Sequence, residues 1–137
     1  MEAEPIKFYL KTLCALLVLT VSLTGCTETP EPAAKKTKRA EKHYQADWCA
    51  GKGKTEHVLP DRTRVDCLTP RHAIEFDWGK KWHEAIGQSL YYALQTGKRA
   101  GVVLIVTDKK QRRFWIRLNS TIEHHRLPID TWLIEDY

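Results

Sequence analysis

Residues 64–78 read RVDCLTPRHAIEFDW, and this stretch predicts a β-hairpin at the centre of the fold. The turn-forming residues 69–72 separate two short strands, at residues 64–68 and 73–78. In the second strand Ile74, Phe76 and Trp78 alternate with smaller or charged side chains. This period of two predicts a strand with one apolar face.

The register of the hairpin decides which side chains face one another. A turn centred on residues 70–71 places Leu68 opposite Ala73, and Asp66 opposite Glu75. Because side chains alternate along a strand, the acidic residues then share the face opposite the apolar one.

Three carboxylates are predicted on that face: Asp66, Glu75 and Asp77. Like charges directly across an antiparallel pair destabilise a sheet, so something should offset their repulsion. A divalent metal held by Asp66 and Glu75 would do so, because Mg²⁺ commonly takes one or two protein carboxylates. The alternative is a solvated acidic pair, with Arg64 neutralising Asp77.

The rest of the chain surrounds this hairpin with helices and further strands. Apolar periodicity and turn residues predict helices at residues 43–50, 80–96 and 109–125, and strands at residues 54–59, 101–107 and 128–135. The order is α-β-β-β-α-β-α-β. It predicts an α/β fold, with a small mixed β-sheet flanked by helices.

The helix at residues 80–96 is predicted to carry two different faces. Its apolar face comprises Trp82, Ile86, Leu90, Ala93 and Leu94. Beside it runs a polar stripe at i, i+4 and i+8: Glu84, Gln88 and Tyr92. Such a stripe either borders a site on the sheet or is an ordinary exposed helix face.

At this point the sequence resembles a known family. Asp66, eight intervening residues, the Glu75-Phe76-Asp77 element and a helix bearing Gln88 and Tyr92 are similar to the motifs of the PD-(D/E)XK nuclease superfamily. The resemblance covers residues 43–107. It implies the restriction-endonuclease-like αβββαβ core of that superfamily.

The resemblance also implies a function, the metal-dependent hydrolysis of phosphodiester bonds. Asp66 and Glu75 would be ligands of Mg²⁺ or Mn²⁺, and Asp77 would add a third carboxylate. Gln88 and Tyr92 would orient the carboxylates or contact a nucleic-acid backbone.

One position departs from the family pattern. The family's lysine should stand at position 77, where this chain has Asp77; the nearest substitutes are Lys80 and Lys81. The departure leaves a second function open, a non-catalytic envelope protein that uses a nuclease-like fold as a binding module. The absence of an obvious strongly basic groove also favours that alternative.

Targeting signals precede the domain. Residues 1–25 have the pattern of a signal peptide, with an apolar run at residues 12–23 that is shorter than a bilayer span. Leu23-Thr24-Gly25-Cys26 resembles the bacterial lipobox, which implies acyl chains such as palmitate on Cys26. Thr27 matches the pattern for sorting to the outer membrane, facing the periplasm.

Residues 26–42 are predicted to be a flexible basic linker, and residues 43–137 the folded domain. The linker has no large apolar side chain to bury before residue 43. Its cationic cluster either lies on anionic lipid or is a solvated spacer: Lys35, Lys36, Lys38 and Arg39. In an oxidising envelope Cys49 and Cys67 form either a disulfide or two buried thiols.

Composition and motifs narrow the classes of function that the chain could have. The 137 residues carry a formal net charge of +5, which suits an anionic partner without identifying one. The sequence has no Gly-rich phosphate loop and no serine nucleophile elbow. A basic segment either contacts phosphate or is a solvated helix face: Lys109, Lys110, Arg112, Arg113 and Arg117. No protein partner follows from the sequence.

Overall fold

The computed structural model describes residues 39–137, and its elements follow the predicted order. The helices are α1 (Glu41–Cys49), α2 (Trp82–Thr96) and α3 (Arg112–His124). The strands are β1 (Lys54–Val58), β2 (Arg64–Leu68), β3 (His72–Trp78), β4 (Arg99–Val106) and β5 (Ile129–Glu135). The predictions for residues 1–38, including the signal peptide, lipidation of Cys26 and most of the linker, lie outside the described residues.

The five strands form one mixed sheet in the order β1-β2-β3-β4-β5. The pairs β1–β2 and β2–β3 are antiparallel, whereas β3–β4 and β4–β5 are parallel. Each parallel connection passes through a helix, as such a connection requires. The predicted α/β class, with a mixed sheet flanked by helices, is confirmed.

Strand β4 runs through the centre of the core. It contains most of the strand predicted at residues 101–107, and every residue from Ala100 to Val106 is buried. Val102 and Leu104 pack in a cluster with α2 and α3 residues, whereas Val103 and Ile105 pack with Tyr44 of α1. Helices therefore cover both faces of the sheet, which explains why this strand is apolar throughout.

The helix boundaries differ from the prediction at their first turns. Helix α1 begins at Glu41, two residues before the predicted start, and an acidic residue in the first turn suits the positive end of the helix dipole. The predicted starts of α2 and α3 are 3₁₀ turns, at Gly79–Lys81 and Lys109–Gln111. The predicted end of α2 at Gly97 is confirmed, since Gly97 caps the helix with a φ of 64°.

The predicted apolar face of α2 is partly wrong. Leu94 is 76% exposed, and the buried residues of the helix are Ala85, Ser89 and Tyr92. The other four residues of the predicted face are partly buried against the core, while Leu94 lies nine positions from Ala85, on the opposite side of the helix. On α3 the buried residues are Phe114, Leu118 and Ile122, while Ile116 is 63% exposed.

The hairpin register is confirmed near the turn and changes beyond it. Leu68 pairs with Ala73 as predicted, and Cys67 pairs with Ile74. The ladder then ends, because the Asp66 side chain takes the place of a backbone partner: its Oδ2 accepts the Phe76 amide at 2.8 Å. Asp66 and Glu75 are therefore not ladder partners. A charged acceptor makes a stronger bond to that amide than a carbonyl would.

A disulfide ties α1 to the hairpin. Cys49 and Cys67 are bonded, with their Cα atoms 5.9 Å apart. Of the two predicted alternatives, the structure contains the disulfide. Among the described residues, no helix is long and apolar enough to cross a bilayer.

A substitution at Gly101 tests the packing between the sheet and α1. A Cβ at this position would lie 2.9 Å from the side chains of both Ile74 and Trp132, closer than such atoms approach. Both neighbours are side chains that can shift at a cost, so we expect Gly101→Ala to destabilise the domain by about 2 kcal/mol. Urea unfolding followed by tryptophan fluorescence measures the change, and an unchanged midpoint would show that the gap between the two side chains is wider than described.

Candidate functional site

Two carboxylates meet where β2 separates from β3. Asp66 is the middle residue of β2, next to Cys67, where the ladder with β3 ends, and Glu75 lies on β3. Glu75 shares its face of β3 with Ala73, whose neighbours include Tyr92 of α2, while Ile74 and Phe76 face α1. The alternation predicted from the sequence thus places the carboxylates on the α2 side of the sheet.

Glu75 is buried and half satisfied. The residue is only 7% exposed. Its Oε1 accepts a hydrogen bond from Nε2 of Gln88 at 2.5 Å. Its Oε2 is also buried, and within residues 39–137 it accepts no hydrogen bond. A buried carboxylate oxygen without a donor is costly unless it is protonated or meets a cation.

The environment of the pair opposes ionisation of both groups. Burial, followed by repulsion from Asp66 and Asp77, raises the pKa of Glu75 to about 9. Burial also raises the pKa of Asp66 to about 6, although the Phe76 amide favours its charged form. Burial and mutual repulsion therefore favour a protonated carboxyl in the pair, and the raised pKa of Glu75 makes it the group that keeps the proton and shares it with Asp66.

Asp77 stands on the same face, two residues further along β3. It is only 4% exposed, and its Oδ1 accepts the amide of Trp78 at 2.8 Å. Burial raises its pKa to about 6, opposed by that amide and by the charge of Lys81. The alternative of a solvated acidic pair at Asp66 and Glu75 is wrong, because Glu75 is buried and Asp66 is half-buried.

The predicted neutralisation of Asp77 by Arg64 is also wrong. Arg64 pairs with Glu56 instead, with Nη1 and Oε2 2.9 Å apart. Glu56 lies opposite Asp66 in the β1–β2 hairpin, between the ladder pairs on either side of it, and has a φ of 52°. Positive φ is rare for a non-glycine residue, so β1 is distorted where it passes the site.

Glu56 is the residue that sequence reasoning missed. Its charge contributes to the raised pKa of Asp66, so it belongs to the electrostatic surroundings of the pair. The signal was available in principle, because a register drawn for the β1–β2 hairpin places residue 56 opposite residue 66. The distortion of its backbone had no signal in the sequence.

The polar stripe of α2 reaches the site at one position. Gln88 contacts Glu75, whereas Glu84 is exposed and pairs with Lys81 at 3.5 Å. Tyr92 is buried against Leu59, Val65 and Ala73. Burial and the nearby charge of Glu75 raise the pKa of Tyr92 to about 12, so its ring lies beside the pair as part of the core.

The two candidate substitutes for the family's lysine differ in position. Lys81 lies close enough to Asp77 for that carboxylate to be the main cause of its raised pKa. Lys80 is exposed at the neighbouring position of the same 3₁₀ turn. Lys81 is therefore the cation nearer to the acidic face.

The predicted three-carboxylate set is not preassembled. Within residues 39–137, no three His, Cys, Asp or Glu side chains surround one point in a way that could hold a metal. The structure brings together Asp66 and Glu75, while Asp77 is engaged with the backbone of Trp78. Two carboxylates are enough for Mg²⁺, which keeps waters in its remaining positions.

Other polar groups lie away from the pair. At the amino ends of the parallel strands, Asp130 Oδ2 contacts Arg99 Nε at 2.7 Å and His72 Nε2 at 2.8 Å. The Arg99 guanidinium is the main cause that lowers the pKa of Asp130 to about 2. These contacts connect β3, β4 and β5 at the amino ends of the strands, whereas Asp77 lies near the carboxyl end of β3.

A cavity of about 350 Å³ lies elsewhere, between α1 and the end of β5. Its lining mixes aromatic, apolar and charged side chains: Arg39, Tyr44, Asp47, Trp48, Ile134, Glu135 and Asp136. Tyr44 donates a hydrogen bond to Asp136 there at 2.5 Å. None of the residues predicted for the acidic site lines this cavity.

No known family, no curated protein and no solved structure matches this chain. The resemblance of residues 43–107 to the PD-(D/E)XK superfamily therefore stays a prediction, and the roles assigned to individual residues rest on the geometry described above.

Proposed function

We propose that the domain is a metal-dependent nuclease in which Asp66 and Glu75 bind Mg²⁺ or Mn²⁺. The observation that carries this proposal is Oε2 of Glu75, which is buried beside Asp66 and has no donor within residues 39–137. A divalent cation would satisfy this oxygen and remove the repulsion between the two carboxylates.

The donor set suits a hard cation, since both groups offer carboxylate oxygens. When bound, Mg²⁺ or Mn²⁺ lowers the pKa of a coordinated water and neutralises charge on a phosphate. Gln88 donates a hydrogen bond to Oε1 of Glu75, which leaves Oε2 available to a cation. The Phe76 amide holds Asp66 in the same way.

The remaining residues of the proposed site have supporting roles. Asp77, beside the pair on β3, would accept a proton or a water ligand once the site is charged. Lys81, which lies near Asp77, is the proposed counterpart of the family's lysine and would stabilise negative charge on the phosphate. Tyr92 packs against β3 and fixes the distance between α2 and the pair.

We also propose that the chain is a lipoprotein of the bacterial cell envelope. The support is the sequence Leu23-Thr24-Gly25-Cys26 behind a short apolar segment. Acyl chains on Cys26 would anchor the domain to the outer membrane, where the periplasm is oxidising. The disulfide between Cys49 and Cys67 is consistent with such a compartment.

The test is cleavage of nucleic acid by the purified full chain in a nonionic detergent. Linear duplex DNA, single-stranded DNA and RNA are incubated with Mg²⁺ or Mn²⁺. We expect cleavage of at least one substrate, complete inhibition by EDTA, and a loss of about a hundredfold or more in Glu75→Gln, because a metal ligand is removed.

A matched substitution controls for the change of charge. Glu123 is exposed on α3, so Glu123→Gln removes one carboxylate away from the site and should cleave like the original protein. Equal rates for Glu75→Gln and the original protein would trace the activity to a contaminant. If the nucleic acid stayed intact in every reaction, the proposed nuclease function would be wrong.

A second candidate is a non-catalytic binding module with the same fold. The observation that favours it is Asp77, a buried carboxylate where the family has lysine. In that case Glu75 keeps its proton and Asp66 its hydrogen bonds, and the pair is a structural contact between β2 and β3. Metal would then change neither activity nor thermal stability, so the stability measurement proposed in the Discussion separates the two candidates.

A further inference from the structure

Two similar turns stand side by side at one edge of the sheet. The first, Gly79–Lys81, follows β3, and the second, Lys109–Gln111, follows β4. Strands β3 and β4 are parallel neighbours with Trp78 opposite Ile105, so both chains leave the sheet at the same edge. Each turn is a single 3₁₀ turn that carries a Lys-Lys pair and leads into a helix.

The two turns are packed against each other. A methyl group on Gly79 would lie 3.2 Å from the Phe114 ring and 3.5 Å from Oε1 of Gln111. The absence of a side chain at position 79 therefore lets the first turn lie directly on the second turn and the start of α3. This packing fixes the two Lys-Lys pairs on one rim instead of leaving them on independent loops.

Several cations on this rim have no carboxylate partner within residues 39–137, although the guanidinium groups of Arg113 and Arg117 lie over the Phe114 ring, 4.9 and 5.6 Å from its centroid. Lys81 pairs with Glu84, and Arg112 with Glu135. Within residues 39–137 no carboxylate pairs with the other exposed cations of the two turns and of α3, and the side chain of Asp108 is used to cap the second turn. We call these the cationic rim: Lys80, Lys109, Lys110, Arg113 and Arg117.

We propose that the cationic rim binds the phosphate backbone of a nucleic acid. The inference deepens the proposed nuclease function and rests on it for one point, that the bound strand continues toward the carboxylates. The rim begins at Lys80, just after the carboxyl end of β3 and three residues after Asp77, so a strand lying on it would pass the acidic face. The cations of the rim are separate from one another. A nucleic-acid backbone, with its regularly spaced phosphates, can contact several of them at once, whereas a single small anion cannot.

The position of the rim favours nucleic acid over lipid. A lipid surface would place the carboxylates against anionic headgroups without giving them any function. A bound strand instead brings phosphates to them. The edge at the carboxyl ends of parallel strands is also where α/β sheets generally bind ligands.

The test compares two triple variants with equal loss of charge. Lys80, Lys109 and Lys110 are changed to glutamine in the rim variant. Lys42, Lys54 and Arg71, which are exposed on α1, β1 and the hairpin turn, are changed to glutamine in the control variant. Fluorescence anisotropy of a labelled single-stranded or duplex DNA measures binding by the full chain in EDTA and nonionic detergent, so that no cleavage occurs.

We expect the rim variant to bind at least about tenfold more weakly at low salt, with a salt dependence reduced by two to three counterions. The control variant should retain both the affinity and the salt dependence of the original chain. The proposal that the rim binds nucleic acid would be wrong if both variants lost DNA affinity equally, or if the original chain did not bind DNA. It would also be wrong if phosphatidylglycerol micelles displaced the DNA at lower phosphate concentration than unlabelled DNA. Because binding is measured without metal, its result is independent of the cleavage test, and the failure of one proposal can be distinguished from the failure of the other.

Discussion

Replacing Glu75 with glutamine is expected to stabilise the metal-free protein at pH 8 by several kcal/mol. Glutamine keeps the shape of the side chain and its contact with Gln88. It removes a carboxyl group whose pKa is raised to about 9 by burial and by the neighbouring carboxylates. Each unit of such a shift corresponds to about 1.4 kcal/mol between the protonated and charged forms.

The direction of the pH dependence follows from the sign of the shifts. A raised pKa means that the folded protein binds more protons than the unfolded chain. The resulting stabilisation is complete below the ordinary pKa and is lost as the pH rises through the folded value. For Asp66 and Asp77 the loss falls between about pH 4 and 6, and for Glu75 it continues to about pH 9.

Thermal unfolding in EDTA, measured from pH 5 to pH 9, checks this expectation. The original protein should lose stability steadily over this range, and Glu75→Gln should lose much less above pH 6. Glu123→Gln on the exposed face of α3 should behave like the original protein. A flat profile for the original protein would mean that Glu75 finds a partner in solution and is not held protonated.

The same measurement with Mn²⁺ or Mg²⁺ tests whether the pair binds metal. A ligand that binds only the folded state raises the melting temperature in proportion to the logarithm of its concentration. Metal should therefore stabilise the original protein above pH 7 and leave Glu75→Gln unchanged. If metal stabilises neither protein, the binding-module candidate replaces the nuclease.

Much of the fold could be predicted from the sequence, because its signals are local. Strand β2 and the pairing of Leu68 with Ala73 follow from alternation and from the turn at residues 69–72. The burial of β4 follows from its unbroken apolar run. The burial of Ala85 and Ser89 at the centre of the α2 face could not be predicted, since hydropathy ranks Leu94 above both, and yet Leu94 is exposed.

In the candidate site, too, some features could be predicted from the sequence and others could not. The convergence of Asp66 and Glu75 could be predicted from register, and the contact of Gln88 from helical spacing. The route by which Asp66 reaches the pair could not be, because its side chain replaces a ladder partner of Phe76. A pairing rule assumes that backbone groups bond to backbone groups. A short acidic side chain at the end of a ladder can break that assumption.

Removing the disulfide is the second change with a large expected effect. The bond between Cys49 and Cys67 closes a loop with a sequence separation of 18 residues. A cross-link of that length restricts the unfolded chain enough to contribute about 3 kcal/mol. For a domain of this size, the double variant Cys49→Ser and Cys67→Ser should melt roughly 15 °C lower.

The disulfide also bears on the site, because Cys67 is the residue next to Asp66. The cross-link holds β2 to α1, whereas β2 is joined to β3 by the short ladder at residues 67–68 and by the Asp66 side chain. We therefore expect reduction to lower the midpoint of thermal unfolding and to weaken stabilisation by Mn²⁺ in the same samples. The double variant is the control, since a reducing agent should not change its melting curve. If reduction left the original protein as stable as before, the bond would be unformed in solution, and Asp66 would be positioned by the sheet and its own hydrogen bond alone.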